Sequence, residues 1–343
     1  MRFLVWGAGA IGGTIGGHLA RAAHPVTLVD KERKHVEAIR NEGLKITGPI
    51  NPFSIRVKAF TPQELTGEYE TTLLCVKAHH TDRAVRQLVP HLSADGFVVS
   101  VQNGLNESII ASMVGEGRTV GSFVNFDADY LKPGVIHYGG RGAVVIGELS
   151  GEITPRIQAL HQSLLDFEPH AIVSTNIQGY LWSKLAYGSM LFATALTHLP
   201  VSRALSMAKF RPLYIALMRE VLAVAQSRSV TLESFDGFDP TAFLPGVDLR
   251  CAKDSLDAIA KRTGKSGQTH TGIWRDLAVR HRRTEVDSIL GSVLARAKDE
   301  NIATPLLEKL IQFIHNIENS TRKQDISNLY ELREELASNL QNL

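Results

Sequence analysis

Within its first dozen residues the chain passes from an apolar run, "RFLVW", directly into "GAGAIG". Gly7, Gly9 and Gly12 hold the G-x-G-x-x-G spacing, with Ala8, Ala10 and Ile11 between them. The run before them reads as a strand. The stretch after them, "IGGTIGGHLARAAH", reads as a helix in which Ile11, Ile15 and Leu19 recur every four residues. Each glycine then has a task. Gly7 permits the tight turn, Gly9 lets the backbone approach a pyrophosphate, and Gly12 lets the helix sit close to the sheet. The helix N-terminus offers free N–H groups and a partial positive charge to the anion. A strand, "PVTLVD", follows and ends on Asp30. In that setting the hexapeptide predicts a dinucleotide-binding unit.

The residues after the second strand, "DKER", are expected to face the adenosine ribose. Asp30 can accept hydrogen bonds from a free ribose diol, the NAD arrangement. Lys31 and Arg33 can instead neutralise a 2′-phosphate. The cofactor reading therefore leans to NADP and leaves NAD open through Asp30.

Strand-like and helix-like segments keep alternating. "ERKHVEAIRNEG" is a helix closed by Gly43, "TTLLCVK" a third parallel strand, "HTDRAVRQLVPHL" a helix and "GFVVSVQNG" a fourth strand. "GVIHYGGRGAVVIGE" reads as a hairpin. Beyond residue 150 strand signals fade and helical periodicity takes over. The expected architecture is α/β: an N-terminal Rossmann-type parallel-sheet domain over 1–173, then an all-helical domain over 174–343 that carries substrate and catalysis. "KRTGKSGQTH" reads as the loop of the second half. Its "GKS" is not a phosphate loop, because Ile259 stands where the required glycine would be. Leu329, Leu332, Leu336, Leu340 and Leu343 share one face of a terminal helix, which predicts docking on its own domain or a homodimer contact.

A net charge of +2 with 21% charged residues lacks the basic excess of a nucleic-acid or anionic-membrane binder. No apolar run is long enough to span a membrane, and "MRFLVW" is too short for a signal-peptide core. The two cysteines, Cys75 and Cys251, allow at most one disulfide, and Cys75 lies in a predicted buried strand. A reduced, cytoplasmic setting is expected. No metal site is evident, since His79 and His80 are adjacent and lack carboxylates at ligand spacing.

The remaining chemistry begins with "YLWSKLAYGSMLFATAL", where Lys184 is the single charge among apolar and small side chains. Such a lysine needs a partner or a lowered pKa. "CVKAHH" and "VQNGLN" bring Lys77 and Asn103 to strand ends, the edge where open α/β sheets bind ligands. "RRTEVD" starts a long helix with Glu285.

Taken together, the nucleotide loop, Lys77, "VQNG", "GVIHYGG", "VVIGE", "LWSKL" and "TEVD…GSVLARAKDENIATP" resemble the ketopantoate reductase (2-dehydropantoate 2-reductase) family across nearly the whole chain. The resemblance implies NADPH-dependent reduction of a 2-oxo acid, with ketopantoate to pantoate as the default and pantothenate and coenzyme A biosynthesis as the setting. It implies that Lys184 is the general acid, that Glu285 orients substrate and cofactor, and that Lys77 and Asn103 contact cofactor and substrate. Where the family pattern has asparagines, four and eight residues after the lysine, this chain has Gly188 and Phe192. Gly272 stands at the position of a family serine that binds substrate, with Thr271 or His270 beside it to take the carboxylate. These departures keep a second reading open: the same machinery acting on another 2-oxo acid or an opine-type imine. A third reading is an NADP-sensing binding protein without turnover, against which Lys184, Glu285 and Asn103 together argue.

Overall fold

In the computed structural model, which describes residues 1–265 and 269–341 (without the side chains of 265 and 338–341), the apolar runs of the first half become strands of one buried sheet. In chain order the elements are β1 (Phe3–Trp6), α1 (Ala10–Arg21), β2 (Val26–Val29), α2 (Arg33–Glu42), β3 (Leu44–Thr47), β4 (Phe53–Ile55), β5 (Lys58–Phe60) and β6 (Tyr69–Leu74). Then come α3 (Thr81–Leu88), β7 (Leu92–Ser100), α4 (Glu107–Val114), β8 (Thr119–Val124), β9 (Asp127–Lys132), β10 (Val135–Gly140), β11 (Val144–Glu148), α5 (Pro155–Leu164) and β12 (Ile172–Val173). The remainder is helical: α6 (Ile177–Thr194), α7 (Val201–Ser206), α8 (Arg211–Ser227), α9 (Leu249–Lys265), α10 (Gly272–Ala278), α11 (Val286–Asp299), α12 (Pro305–Glu318) and α13 (Ser327–Gln341). The chain divides into two compact units, Met1–Ile177 and Gln178–Leu343.

The first unit is α/β. Its main sheet has eight strands in the order β12-β11-β8-β7-β6-β1-β2-β5, with every neighbouring pair parallel except β8 and β11. A parallel sheet is covered on both faces, so its strands read as continuous apolar runs. Phe3 and Val5 face one core with Ile15, Leu19 and Leu28, while Leu4 and Trp6 face the other with Val85, Leu88 and Ile110. The chain leaves β1 on one side toward β2 and returns on the other as β6. The carboxyl ends of β1 and β6 therefore flank a topological switch point, where such sheets bind ligands.

A second sheet, β4-β3-β10-β9, packs on α1. This explains why α1 is so rich in glycine. Gly12 and Gly16 lie against Val5 and Leu28 of the main sheet, and Gly13 and Gly17 against Ile136, Leu44 and Ile46 of the second. The helix is squeezed between two sheets.

The second sheet also corrects a sequence expectation. "GVIHYGGRGAVVIGE" is not a hairpin. β10 pairs with β9 and β3, whereas β11 pairs with β8 and β12 in the main sheet. The chain crosses between sheets at "GGRG", where a Cβ on Gly142 would collide with the Asn125 carbonyl. Small residues there serve passage past another backbone, not a tight turn.

The second unit is helical. In α13, Leu329 and Leu332 are fully buried within the chain and Leu336 is half-buried. Burying each of the first two contributes roughly 1.5–3 kcal/mol, which seats the helix on its own unit. The side chains of Leu340 and Leu343, and residues 266–268 of the loop "KRTGKSGQTH", lie outside the described residues. Cys75 and Cys251 are both free. No helix among the described residues is long and apolar enough to cross a membrane, and no group of three or more metal-ligating side chains occurs among them.

Candidate active site

In the first unit, the turn after β1 has the geometry a pyrophosphate requires. Gly7 has φ +101°, and a Cβ there would stand 2.8 Å from the Val76 nitrogen, so only glycine fits. A Cβ on Gly9, by contrast, would meet nothing within 4 Å. The backbone lies bare above the N-terminus of α1, which is the space an anion would fill. The residues present thus fit a dinucleotide.

Two side chains hold this loop from behind. Asp30 accepts from the Ala8 N–H through Oδ2 and from the Glu32 N–H through Oδ1, each at 2.9 Å. His35, buried on α2, accepts the Gly134 N–H at Nδ1 and therefore donates from Nε2 to the Ala8 carbonyl, each at 2.9 Å. The sequence did not single out His35, and no local signal marks a helix histidine as a loop brace. Lys31 meets His80 at 3.0 Å, while Arg33 turns to Glu64 at 3.5 Å.

Lys77 and Asn103 follow β6 and β7. A small network ties these strand ends together: Gln102 Nε2 donates to the Val76 carbonyl at 2.8 Å and to Thr81 Oγ1 at 2.9 Å, and Thr81 in turn donates to the Ala78 carbonyl at 2.7 Å, with Asn106 Oδ1 beside it at 3.2 Å. The Asn103 carbonyl accepts from Asn106 Nδ2 at 2.8 Å, leaving the Asn103 side chain exposed at the sheet edge. Lys77 is half-buried in the adjoining turn.

In the second unit, α6 carries Lys184 as its single charge. From Tyr180 onward its half-exposed positions are Tyr180, Lys184, Gly188 and Leu191, and the rest are buried. Their spacing of four, four and three residues draws one helical stripe. Burial lowers the Lys184 pKa to about 8, against the opposing pull of the Glu285 and Asp236 carboxylates. The amine is thus poised near neutrality without losing its charge partners.

Glu285 is half-buried at the start of α11, where Thr284 donates from both backbone and hydroxyl to Glu318 at 2.7 Å. Arg282, three residues before Glu285, does not turn toward it. It pairs instead with buried Asp276 at 2.8 Å, alongside Arg280.

Asp236 is a residue the sequence reading overlooked, although a signal was present. In "FDGF", Phe235 and Phe238 bridge each other, with Asp236 at φ 45° and Gly237 at φ 76°. Asp-Gly between paired residues is the favoured two-residue hairpin turn. Tyr187, three residues after Lys184, packs on both phenylalanines. Arg262 donates to the Asp236 carbonyl and to the Tyr187 hydroxyl, which fixes the turn to α6.

Gly188 and Phe192 part company. A Cβ on Gly188 would meet nothing within 4 Å, one turn beyond Lys184. Phe192 is off the stripe and 1% exposed. Thr271 caps α10, its hydroxyl accepting from the Trp274 N–H at 3.0 Å, with Gly272 exposed beside it. His270 stacks on Trp274 and has both ring nitrogens engaged, by Thr269 and by the His198 carbonyl.

Residues 3–151 match the profile described as ketopantoate reductase PanE/ApbA, and residues 176–318 match its C-terminal counterpart. The 2-dehydropantoate 2-reductase of Pyrococcus abyssi is 29% identical over 312 residues, covering 89% of this chain and 94% of that protein. A crystal structure of a PanE/ApbA family ketopantoate reductase from Ralstonia eutropha JMP134 has TM-score 0.79 at 26% identity, covering 93% of this chain and 99% of that one. A D-mandelate dehydrogenase solved with NADH and anilino(oxo)acetate shares the fold, with TM-score 0.82 at 20% identity and the same coverage. With both units matched in order, the chain belongs to the ketopantoate reductase PanE/ApbA family of oxidoreductases.

Proposed function

We propose that the chain reduces a 2-oxo acid to the 2-hydroxy acid with NADPH, with 2-dehydropantoate to pantoate as the default reaction. The observation that carries the reading is a half-buried lysine whose pKa is lowered to about 8 while Glu285 and Asp236 sustain its charge. The glycine loop would hold the pyrophosphate of the reduced dinucleotide, whose nicotinamide would supply hydride to the carbonyl carbon. The carbon–oxygen π electrons move to oxygen, and Lys184 Nζ meets that growing charge with a hydrogen bond and then gives up its proton. The neutral amine regains a proton from solvent in the field of the two carboxylates. Lys77 and Asn103 hold cofactor and substrate at the sheet edge. Thr271, whose oxygen already accepts at the helix cap, retains its own proton for a substrate carboxylate, with Gly272 giving access. Asp30 braces the glycine loop and Lys31 stands outside it, which favours a phosphorylated ribose over a free diol.

A second reading, reduction of another 2-oxo acid or an imine, is favoured by Gly188 and Phe192. No amide reaches out from either position, and the space at Gly188 suits a substrate larger than one fitted between asparagines. The neighbour bound to anilino(oxo)acetate has the same fold. The test follows the loss of reduced-nicotinamide absorbance with NADPH or NADH and a panel of 2-oxo acids. Oxidation of NADPH with ketopantoate supports the default reaction. Oxidation only with other oxo acids supports the second reading. Tight NADPH binding without turnover on any of them would leave an NADP-sensing binding protein.

A further inference from the structure

Lys31 follows directly on the strand end that faces the adenosine ribose in this fold. Its contact with His80 Nε2 at 3.0 Å has only one chemical sense. An ammonium group has hydrogens to give and no lone pair, so the imidazole is the acceptor and its proton sits on Nδ1. Two bases touch, and the contact survives only while His80 is neutral.

The charged and titratable groups that act on His80 are all basic. His79 lies with its ring centroid 4.1 Å away, Lys77 belongs to the same turn, Arg83 comes from α3, and Lys31 comes from beyond β2. The carboxylates nearby in sequence are turned elsewhere: Asp30 toward the Ala8 and Glu32 amides, and Asp82 toward Arg86 at 3.0 Å. Burial first, and then the repulsion of a second positive charge by His79, Lys31, Arg83 and Lys77, holds the His80 pKa down at about 4. A dianion entering here would reverse the local field.

We propose that Lys31 and His80 form a proton-linked seat for the 2′-phosphate of the dinucleotide, in which His80 takes up one proton from solvent as the phosphate enters. The phosphate replaces the His80–Lys31 bond with one charge-assisted hydrogen bond from each base. Preference for the phosphorylated cofactor therefore strengthens as pH falls, by the reciprocity of linked equilibria. The inference rests on the NADPH reading and deepens it.

The phosphate's own second ionisation, near about pH 6, works in the opposite sense: its protonation weakens binding as pH falls. The two effects therefore separate by sign. The experiment measures calorimetric binding of 2′-phospho-ADP-ribose and of ADP-ribose, neither of which can react, at about pH 6.5 and about pH 8. The wild-type affinity ratio should rise at least about threefold at the lower pH, with proton uptake visible as a buffer-dependent heat. His80→Gln, which still offers Lys31 an acceptor, should keep a preference for the phosphate but lose its rise at the lower pH, leaving it level or slightly weaker there, while His79→Gln should leave the rise intact. A flat wild-type ratio overturns the proton linkage, as does a rise at the lower pH that survives in His80→Gln. No preference for the phosphorylated ligand at either pH overturns the NADPH reading itself, and the inference with it.

Discussion

Lys184 is tolerated in an otherwise uncharged helix because two carboxylates from elsewhere in its unit meet it there, Glu285 from the start of α11 and Asp236 from a hairpin tip. Desolvation lowers its pKa, and the carboxylates oppose that shift. In the proposed proton-donor role the group acts only when protonated, so kcat/KM for reduction should hold below pH 8 and fall as pH rises through about 8. Glu285→Gln removes one source of negative potential. The alkaline limb should then move to lower pH, with roughly a tenfold loss of kcat/KM at neutrality. A variant profile that overlays the wild type would separate Glu285 from the lysine. The two departures from the family pattern should respond differently to the same amide. Gly188→Asn enters open space and should fold normally and raise kcat/KM for ketopantoate. Phe192→Asn puts an amide into a fully buried ring site and should cost about 3 kcal/mol or more in urea unfolding. Equal stability of the two variants would contradict the burial assigned to Phe192.

Among the elements, α12 shows how one half-buried carboxylate can serve as a helix cap. Glu220 on α8 accepts from the Leu306 and Leu307 N–H groups at 2.9 and 2.8 Å, and burial raises its pKa to about 7. The folded chain therefore binds more protons than the unfolded one between pH 4.5 and 7. This contribution to stability is complete below the unfolded pKa and is lost as pH rises through 7. Glu220→Gln cannot titrate. The melting temperature of wild type minus that of the variant should fall steadily across this window, and a constant difference would mean Glu220 keeps an ordinary pKa. Elements with strong periodicity, such as α1, α2 and the parallel strands, were legible in the sequence. The three short strands between Leu44 and Phe60 were not, because three or four residues carry too little pattern. "GVIHYGGRGAVVIGE" misled because glycines between apolar runs mark a hairpin and a chain crossing alike. Asp236 escaped notice, and His80 was weighed only as a metal ligand, for a related reason. Each acts from a turn, and its importance lies in what it meets across tens of residues of chain.

Across the whole molecule, composition and motif order agree. A small net charge, free cysteines and two successive family-matched units describe a small-molecule oxidoreductase more readily than a nucleic-acid or membrane-surface protein. The glycine loop was readable from spacing alone, since strand, turn and helix are contiguous there. Lys184 stood out as a lone charge, but that Glu285 belongs with it was readable only through the resemblance to the family, since the two are separated by most of the second unit. What joins them is charge: the Glu285 carboxylate raises the Lys184 pKa against the effect of burial. The decisive experiment compares Lys184→Ala with wild type for both turnover of a 2-oxo acid substrate and NADPH dissociation. Turnover should fall at least about 100-fold while the dissociation constant stays within about twofold. A variant that keeps a tenth or more of wild-type kcat would show that the proton comes from somewhere else.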